Sequence, residues 1–286
     1  MFDLILIDFS WIYNKYYYVA RVRPLREDNN LEPQVYDMLF RLFGLIEKSY
    51  PSSKKFLVLD PPLSSTGSLE ICSEYKQQRN KEEKKEVYGC IKSIIGKLSK
   101  NLSSKYLFVR DLKHEADQTI AHLAEKNQVK HKVLIFSGDK DLLQLSYYPN
   151  VEISDKYEKG QFLLKTDKEI FEKFKNSKGE DFTRISENKR DILKYRVLKG
   201  DASDNLGPVF PRIKDKEIIN IVRNYWIDEE ELTEPRVMSI IEDIKGDEPE
   251  LANKLEENKA NWLRNFKLMN LYNLTGLEIK KVVKHG

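Results

Sequence analysis

The sequence is poor in cysteine, with only Cys72 and Cys90 in 286 residues. Two cysteines are too few for a disulfide framework or a zinc cluster. No apolar run approaches the length of a membrane span, and the chain starts with a strand-like segment where a secretory leader would carry basic residues and a long apolar stretch. We therefore expect a cytoplasmic protein that makes no contact with a membrane.

Charge of one sign is also not in large excess. The 49 Lys and Arg residues nearly balance the 46 Asp and Glu residues, which leaves a net charge of +3. This balance excludes a uniform polycation, but it allows an acidic site and a separate basic surface for nucleic acid. The length and the hydrophobic share of 40% predict one large or two smaller soluble domains with a proper core.

Three short apolar runs each end in acidic residues. Residues 4–7 (LILI) lead to Asp8, residues 56–59 (FLVL) lead to Asp60, and residues 133–136 (VLIF) lead to a Ser-Gly-Asp-Lys-Asp segment. Each run is typical of a buried strand. Because ligands of an open parallel sheet bind beyond the carboxyl ends of its strands, we expect these acids to converge although they are far apart in sequence.

Eight carboxylates are candidate metal ligands, and they are Asp8, Asp60, Glu115, Asp117, Asp139, Asp141, Asp201 and Asp204. Taken singly, Asp8 or Asp60 is better explained as a turn former or a helix cap, and Glu115 with Asp117 can be explained as acids that complement a helix start. Their repetition at corresponding places favours a shared site. Hard oxygen donors in this number suit two Mg²⁺ ions, with Mn²⁺ as a substitute, and two such ions can activate a water molecule and hold a phosphodiester.

The remaining pattern predicts an α/β part followed by a helical part. We expect helices over about 34–48, 87–98 and 115–126, a strand over 106–109, and a hairpin formed by 151–153 and 161–164 around a Lys159-Gly160 turn. The charged run that ends near residue 86 predicts a mobile, exposed loop with helical pieces. Beyond about residue 167 we expect helices and no further clear strand, with Lys280, Lys281 and Lys284 in a frayed basic terminus.

Five segments carry a family resemblance. They are LIDFS (6–10), EYKQQR (74–79), HEAD (114–117), SGDKDLLQL (137–145) and LKGDASDN (198–205). In this order they resemble the signature blocks of the 5′ nuclease or flap endonuclease superfamily, and especially its bacteriophage members, which include the T-even ribonuclease H and phage 5′-to-3′ exonucleases. The resemblance implies a PIN-like, mostly parallel sheet flanked by helices over 1–166, with a helical arch at about 62–100. It also implies that 167–286 form a helical region whose helix-three-turn-helix element binds duplex DNA.

The resemblance assigns roles to individual residues. Asp8, Asp60, Glu115, Asp117 and Asp139 match the acids that hold a first, catalytic ion, and Asp141, Asp201 and Asp204 match those of a second ion. Lys76 and Arg79 match catalytic residues that contact the scissile phosphate, and Tyr75 matches an aromatic residue that stacks on a displaced base. A lysine offsets the charge of the reacting phosphate, an arginine can bind two of its oxygens, and an aromatic ring accepts any unpaired base.

Two positions depart from the family pattern. Gln118 stands where the family has an acid, which implies a weaker second ion. The turn of the DNA-binding element retains only Gly207 of its usual glycines, so we expect duplex binding to depend on Arg212, Lys214 and Lys216.

These features predict a hydrolase that acts as a 5′-to-3′ exonuclease and structure-specific flap endonuclease on DNA and RNA/DNA duplexes with 5′ ends or flaps. The implied setting is the removal of RNA primers during phage DNA replication in the host cytoplasm, by a monomer that works with a single-stranded-DNA-binding protein or a sliding clamp. Two alternatives remain open: a PIN-type ribonuclease that cuts single-stranded RNA, and a DNA-junction binding protein with weak catalysis. Gln118 and the altered turn motivate the second alternative.

Overall fold

The structure is a computed structural model of the chain. It describes residues 1–22, 30–61, 81–172, 189–227, 231–272, 274 and 276–282. Among these, residues 1–61, 81–165 and 271–282 form one compact unit, and residues 166–270 form a second. The segment with Tyr75, Lys76 and Arg79, together with Lys284, lies outside the described residues.

A seven-stranded sheet forms the centre of the first unit. Its strands are β1 (Leu4–Asp8), β2 (Lys54–Val58), β3 (Leu107–Arg110), β4 (Val133–Phe136), β5 (Val151–Glu158), β6 (Gln161–Leu164) and β7 (Lys280–Lys281). They lie in the order β6-β5-β4-β1-β2-β3-β7. The four inner pairings are parallel, and the two outer pairings, β5 with β6 and β3 with β7, are antiparallel. The predicted mostly parallel α/β sheet is therefore confirmed.

Helices cover this sheet and explain why its central strands are apolar. The first unit contains α1 (Phe9–Val22), α2 (Leu31–Ser49), α3 (Lys81–Leu102) and α4 (Ala116–Gln128). All five residues of β1 are buried. Ile5 and Ile7 belong to a core cluster with apolar residues of α1 and α2, while α4 packs against β1 and β4. A strand buried on both faces has no solvent side, so its sequence is a continuous apolar run.

The predicted hairpin is confirmed. Strands β5 and β6 pair antiparallel at an edge of the sheet, with Glu158 opposite Gln161. The backbone φ angles are 50° at Lys159 and 83° at Gly160. Two consecutive positive φ values are typical of the two-residue turns that match the twist of paired strands. The loop predicted from the Lys-Gly pair thus has the conformation that such a pair favours.

The structure differs from the sequence prediction at the start of α3. This helix begins at Lys81, where the sequence predicted a helix from about residue 87 after a loop with helical pieces, so the charged run 81–86 is helical throughout. Lysine and glutamate have high helix propensity, and a charged stretch without apolar periodicity can still extend an amphipathic helix by one or two turns. The absence of an apolar stripe concealed the start of the helix.

The prediction of no strand beyond residue 167 is wrong, because Lys280 and Lys281 form β7. Lys281 pairs with Val109 and Lys280 with Arg110, and the Val282 amide donates to the Phe108 carbonyl at 2.7 Å. A two-residue strand is too short to show periodicity. Residues 271–282 group with the sheet and not with the helical part, to which the sequence assigned them.

The second unit consists mainly of helices. They are α5 (Asp167–Glu172), α6 (Asp191–Lys199), α7 (Asp215–Asn220), α8 (Glu234–Asp247), α9 (Pro249–Glu257) and α10 (Lys259–Met269). Trp226 and Trp262 are its largest fully buried side chains, and their rings meet edge to face with centroids 5.4 Å apart. Within the described ranges of the chain, no helix has the length and apolar character needed to cross a membrane.

Replacing Tyr106 with phenylalanine tests the contribution of one buried hydrogen bond to the stability of the first unit. The Tyr106 hydroxyl is buried and donates to the Phe43 carbonyl of α2 at 2.6 Å. Because Tyr106→Phe removes this donor and keeps the ring, we expect the free energy of unfolding to fall by roughly 1–2 kcal/mol. Urea denaturation measures the change. Tyr18→Phe is the control, because Tyr18 is 49% exposed, and equal losses in both variants would contradict the assigned role of the Tyr106 hydroxyl.

Candidate metal and nucleic-acid site

Asp8 ends β1 and is a buried acid of the candidate site, with 6% of its surface exposed. Its Oδ1 accepts a hydrogen bond from the Trp11 amide at 3.0 Å. Its Oδ2 accepts one from the Ser137 hydroxyl at 2.8 Å. These two donors fix the carboxylate at the carboxyl edge of the parallel strands.

Ser137 joins Asp8 to the acidic loop that follows β4. Its oxygen accepts from the Asp139 amide at 3.0 Å while its hydroxyl donates to Asp8. The Oδ1 atom of Asp139 in turn accepts from the Asp141 amide at 2.9 Å. One continuous set of hydrogen bonds therefore connects three of the predicted acids across two neighbouring strands.

Asp60, two residues beyond the end of β2, is held in the same way from two sides. The Ser10 hydroxyl, in the first turn of α1, donates to its Oδ2. The Ala116 amide, at the start of α4, donates to its Oδ1 at 2.9 Å. The open amide end of a helix is a favourable neighbour for a carboxylate. Asp60 thus lies where α1, β2 and α4 meet.

The acids interact electrostatically. Burial raises the pKa of Asp8 to about 7, and the negative charges of Asp60 and Asp139 add to the rise. The hydrogen bonds from Trp11 and Ser137 oppose it, because they favour the charged form. Like charges held close together in a buried place are the arrangement that a bound cation stabilises. The structure therefore brings Asp8, Asp60 and Asp139 together, as the sequence predicted.

Glu115 and Asp117 lie at the start of α4, and Gln118 has a local role there. The Glu115 amide donates to Gln118 Oε1 at 3.1 Å, and the Gln118 amide donates to Asp117 Oδ1 at 2.7 Å. The first of these bonds belongs to a capping box, in which a Glu or Gln at the third helical position accepts a hydrogen bond from the amide of the capping residue. Gln118 therefore serves the helix end that carries Glu115.

The donor set fits a hard divalent cation in its chemistry. In unit one it consists of carboxylate oxygens, which suit Mg²⁺ or Mn²⁺ better than zinc. Across the parts of the chain that the structure describes, no three His, Cys, Asp or Glu side chains form a group that could hold a metal ion. The acids are instead held by hydroxyl and amide donors, and an ion would compete with those donors for the same oxygens.

Asp201 and Asp204 belong to the second unit, where Asp201 has several partners. Its Oδ2 accepts from Arg196 Nη2 at 2.8 Å, and both groups are almost fully buried. Its Oδ1 accepts from the amide and hydroxyl of Ser203 at 2.9 and 2.5 Å. Asp204 is also buried. Their role as ligands of a second ion stays a prediction.

The loop that carries this pair is closed tightly. The Asp201 amide donates to the Leu206 carbonyl at 2.8 Å and the reverse bond is 2.9 Å. Gly200 has φ of 74°, and a Cβ there would lie 2.4 Å from the Gly207 carbonyl oxygen. The buried Asn265 amide donates to that same oxygen at 2.9 Å. Glycine is therefore required at position 200 for both its φ angle and its lack of a side chain.

The predicted basic contacts lie together on the surface after this loop. Arg212, Lys214 and Lys216 are all exposed, while Ile213 between them is buried. Lys214 immediately precedes α7. Alternation of buried and exposed side chains thus presents the three cations to solvent. Their contact with nucleic acid stays a prediction.

Sequence reasoning missed three residues of the site, namely Ser10, Ser137 and Trp11. The two serines stand next to the acids in LIDFS and SGDKD, and this adjacency is the signal that could have identified them. A Cβ at Gly138 would lie 2.6 Å from atoms of the Trp11 ring, so the indole packs directly on the backbone of the acidic loop. Lys15 Nζ lies 4.9 Å from the centre of that ring.

Comparison with known proteins is consistent with this site. Residues 3–175, more than half of the chain, match the model of the 5′-3′ exonuclease family, N-terminal resolvase-like domain. A 5′-3′ exonuclease of Mycoplasmopsis pulmonis is 29% identical over 77% of this chain and 66% of its own length. Ribonuclease H of Enterobacteria phage T4 is 27% identical over 75% of this chain and 63% of its own length. The matches thus span less than two thirds of these relatives.

A solved structure has a similar fold. T5 5′-exonuclease, with divalent zinc ions bound, superposes with a TM-score of 0.65 over 94% of this chain and 89% of its own, at 17% identity. At that identity the likeness concerns the fold alone. The predicted superfamily is confirmed by the family model, and we conclude that the chain belongs to the 5′-3′ exonuclease family.

Proposed function

We propose that the protein is a hydrolase that cleaves phosphodiester bonds with divalent ions, acting 5′ to 3′ on DNA and RNA/DNA duplexes and cutting 5′ flaps. Mg²⁺ is the proposed ion, with Mn²⁺ as a substitute, and removal of RNA primers during phage replication is the proposed role. Two relatives carry the names 5′-3′ exonuclease and ribonuclease H, which supports both substrate classes.

One observation carries this proposal. Asp8, Asp60 and Asp139 follow three neighbouring parallel strands, and bonds through Ser10 and Ser137 hold them at one edge of the sheet. Burial is the main cause of the raised pKa of Asp8, and the charges of Asp60 and Asp139 add to it, whereas a purely structural use of these acids would not require a carboxylate buried beside two others. Burying the Asp8 carboxylate beside two other carboxylates costs stability, and functional sites are where such a cost is retained.

The roles of the chain's own residues follow from this geometry. Bound divalent ions would supply an activated water and neutralise charge on the phosphodiester. Asp8, Asp60, Glu115, Asp117 and Asp139 would hold one ion, and Asp141, Asp201 and Asp204 would contribute to a second. Lys76 and Arg79 would orient the phosphate, Tyr75 would stack on an unpaired base, and Arg212, Lys214 and Lys216 would bind the duplex backbone.

A second candidate is a DNA-junction binding protein with weak catalysis. Two observations favour it: Gln118 caps α4 in place of an acid, and Asp201 is paired with the Arg196 guanidinium. Both reduce the negative charge that a second ion would meet. Tight binding of a flapped duplex without cleavage in Mg²⁺ or Mn²⁺ would support this candidate over the nuclease.

Replacing Asp139 with asparagine tests the nuclease. We expect cleavage of a 5′-labelled flapped duplex, and of its RNA-primed equivalent, to fall by about 100-fold or more, because losses of 10- to 100-fold are typical even for residues that only support a ligand. Asp3→Asn is the matched control: Asp3 precedes β1 at its opposite end, where its carboxylate accepts from the Lys132 amide in an exposed bond. Full activity of Asp139→Asn with Mg²⁺ would refute the proposed site.

The pKa of Asp8 leads to a prediction about stability without metal. Its pKa rises from 3.8 unfolded to about 7 folded, so the folded state resists ionisation that the unfolded state accepts. Asp8 therefore reduces stability progressively as pH rises from about 4 to about 7. In EDTA we expect Asp8→Asn to exceed the wild type in unfolding free energy by up to roughly 4 kcal/mol at about pH 8, and by less at about pH 5.

Urea denaturation of both proteins at the two pH values measures this difference. Asp3→Asn again serves as the control, since Asp3 is exposed. A constant difference between Asp8→Asn and the wild type at both pH values would contradict the buried, mutually repelling arrangement.

A further inference from the structure

A segment near the end of the chain, of which residues 271, 272, 274 and 276–282 are described, returns to the sheet and contacts the elements that carry the site acids. We call it the return segment. The Leu271 amide donates to Gln144 Oε1 at 3.2 Å, and the Tyr272 hydroxyl donates to the Gln144 carbonyl at 2.5 Å. Gln144 lies on the short helix that begins at Asp141. The return segment is therefore hydrogen-bonded to the short helix that follows the acidic loop.

The same segment reaches α4 and the edge of the sheet. The carbonyl of Leu274 accepts from His122 Nδ1, on α4, at 3.3 Å. Further along, Lys280 and Lys281 pair with β3 as β7. The return segment therefore contacts both α4 and β3. The loop between β3 and α4 ends at Glu115.

Asp111 is the first residue of that loop and has 2% of its surface exposed. Its Oδ1 accepts from the amides of Lys113 and His114 at 2.8 and 2.9 Å, and from His114 Nδ1 at 2.8 Å. Its Oδ2 accepts from the Glu278 amide of the return segment at 2.5 Å. One buried carboxylate therefore links the return segment to the two residues that precede Glu115.

Four N–H groups donate to the buried Asp111 carboxylate and hold it in one position. Burial opposes its ionisation, but the hydrogen bonds from Lys113, His114 and Glu278 prevail and hold the pKa of Asp111 below its usual value. The chain of bonds continues, because the next amides, those of Glu115 and Ala116, donate to Gln118 and to Asp60. Every step from Glu278 to Asp60 is thus a backbone amide held by a side chain.

We propose that Asp111 is a positioning residue that couples the return segment to Glu115, so that residues 276–282 fix the geometry of the candidate metal site. The inference rests on the proposed function for its chemistry, but the coupling itself is a property of the fold. Ligand groups held through such supporting bonds typically lose 10- to 100-fold in ion affinity when the support is removed.

Two variants of Glu278 test the coupling with equal change of charge. Glu278→Pro removes the N–H that Asp111 accepts, whereas Glu278→Ala keeps it. On the metal-free full chain, we expect hydrogen exchange of amides in 111–118 to accelerate in Glu278→Pro and to stay unchanged in Glu278→Ala. The dissociation constant of Mn²⁺, measured by calorimetry, should rise about 10-fold in the proline variant alone.

Asp111→Asn provides a second route if the proline variant does not fold. Its amide oxygen can still accept from Lys113 and His114, while its amide nitrogen cannot accept from Glu278. We expect faster exchange in 111–118, a higher Mn²⁺ dissociation constant, and a change in the metal concentration needed for half-maximal cleavage. Asp3→Asn controls for the lost charge.

The two proposals fail in different ways. A wild-type chain that binds no Mn²⁺ and cleaves nothing would overturn the proposed nuclease. Faster exchange confined to 276–282, with 111–118 and the Mn²⁺ dissociation constant unchanged in Glu278→Pro, would overturn the coupling and leave the nuclease intact.

Discussion

The fold of the first unit has to bury one carboxylate, that of Asp8, beside two partly exposed ones, those of Asp60 and Asp139. Asp8 is almost completely buried beside the charges of Asp60 and Asp139, and its raised pKa reflects the free-energy cost of ionising it there. Hydroxyl and amide donors offset part of this cost, since a charge-assisted hydrogen bond is stronger than a neutral one. The serines at positions 10 and 137 therefore belong to the site as much as the acids do.

The parallel sheet makes this concentration of charge possible. Because β1, β2 and β4 run in the same direction, each delivers its following residues to the same edge. The amide end of α4 lies there too, and its Ala116 N–H meets the Asp60 carboxylate. An antiparallel arrangement would separate these acids onto opposite edges. The parallel topology of the sheet is thus the reason why these charges lie close together.

The sequence predicted those features that repeat or that stand in a recognisable pattern. Apolar runs that end in Asp8 and Asp60 identified the strands and the edge where the acids meet, and a Lys-Gly pair identified the hairpin. Asp111 escaped because its partners are backbone amides, which every residue has, and because one of them lies 167 positions away. β7 escaped since two lysines show no periodicity, and the early start of α3 escaped because propensity acted there without an apolar stripe.

Gln118 and Asp201 show how one chain can alter the charge of a family site without losing its framework. Gln118 is isosteric with the glutamate of a capping box, so α4 keeps its start and Glu115 keeps its place while one negative charge is absent. Asp201 keeps its charge, but Arg196 neutralises it in a buried pair. Removing one partner of such a buried pair leaves an unpaired buried charge and strongly destabilises the protein, so Arg196 and Asp201 must be retained together. Asp8 and Asp60 accept hydrogen bonds from hydroxyl and amide groups, and Asp60 also interacts electrostatically with the Arg110 guanidinium.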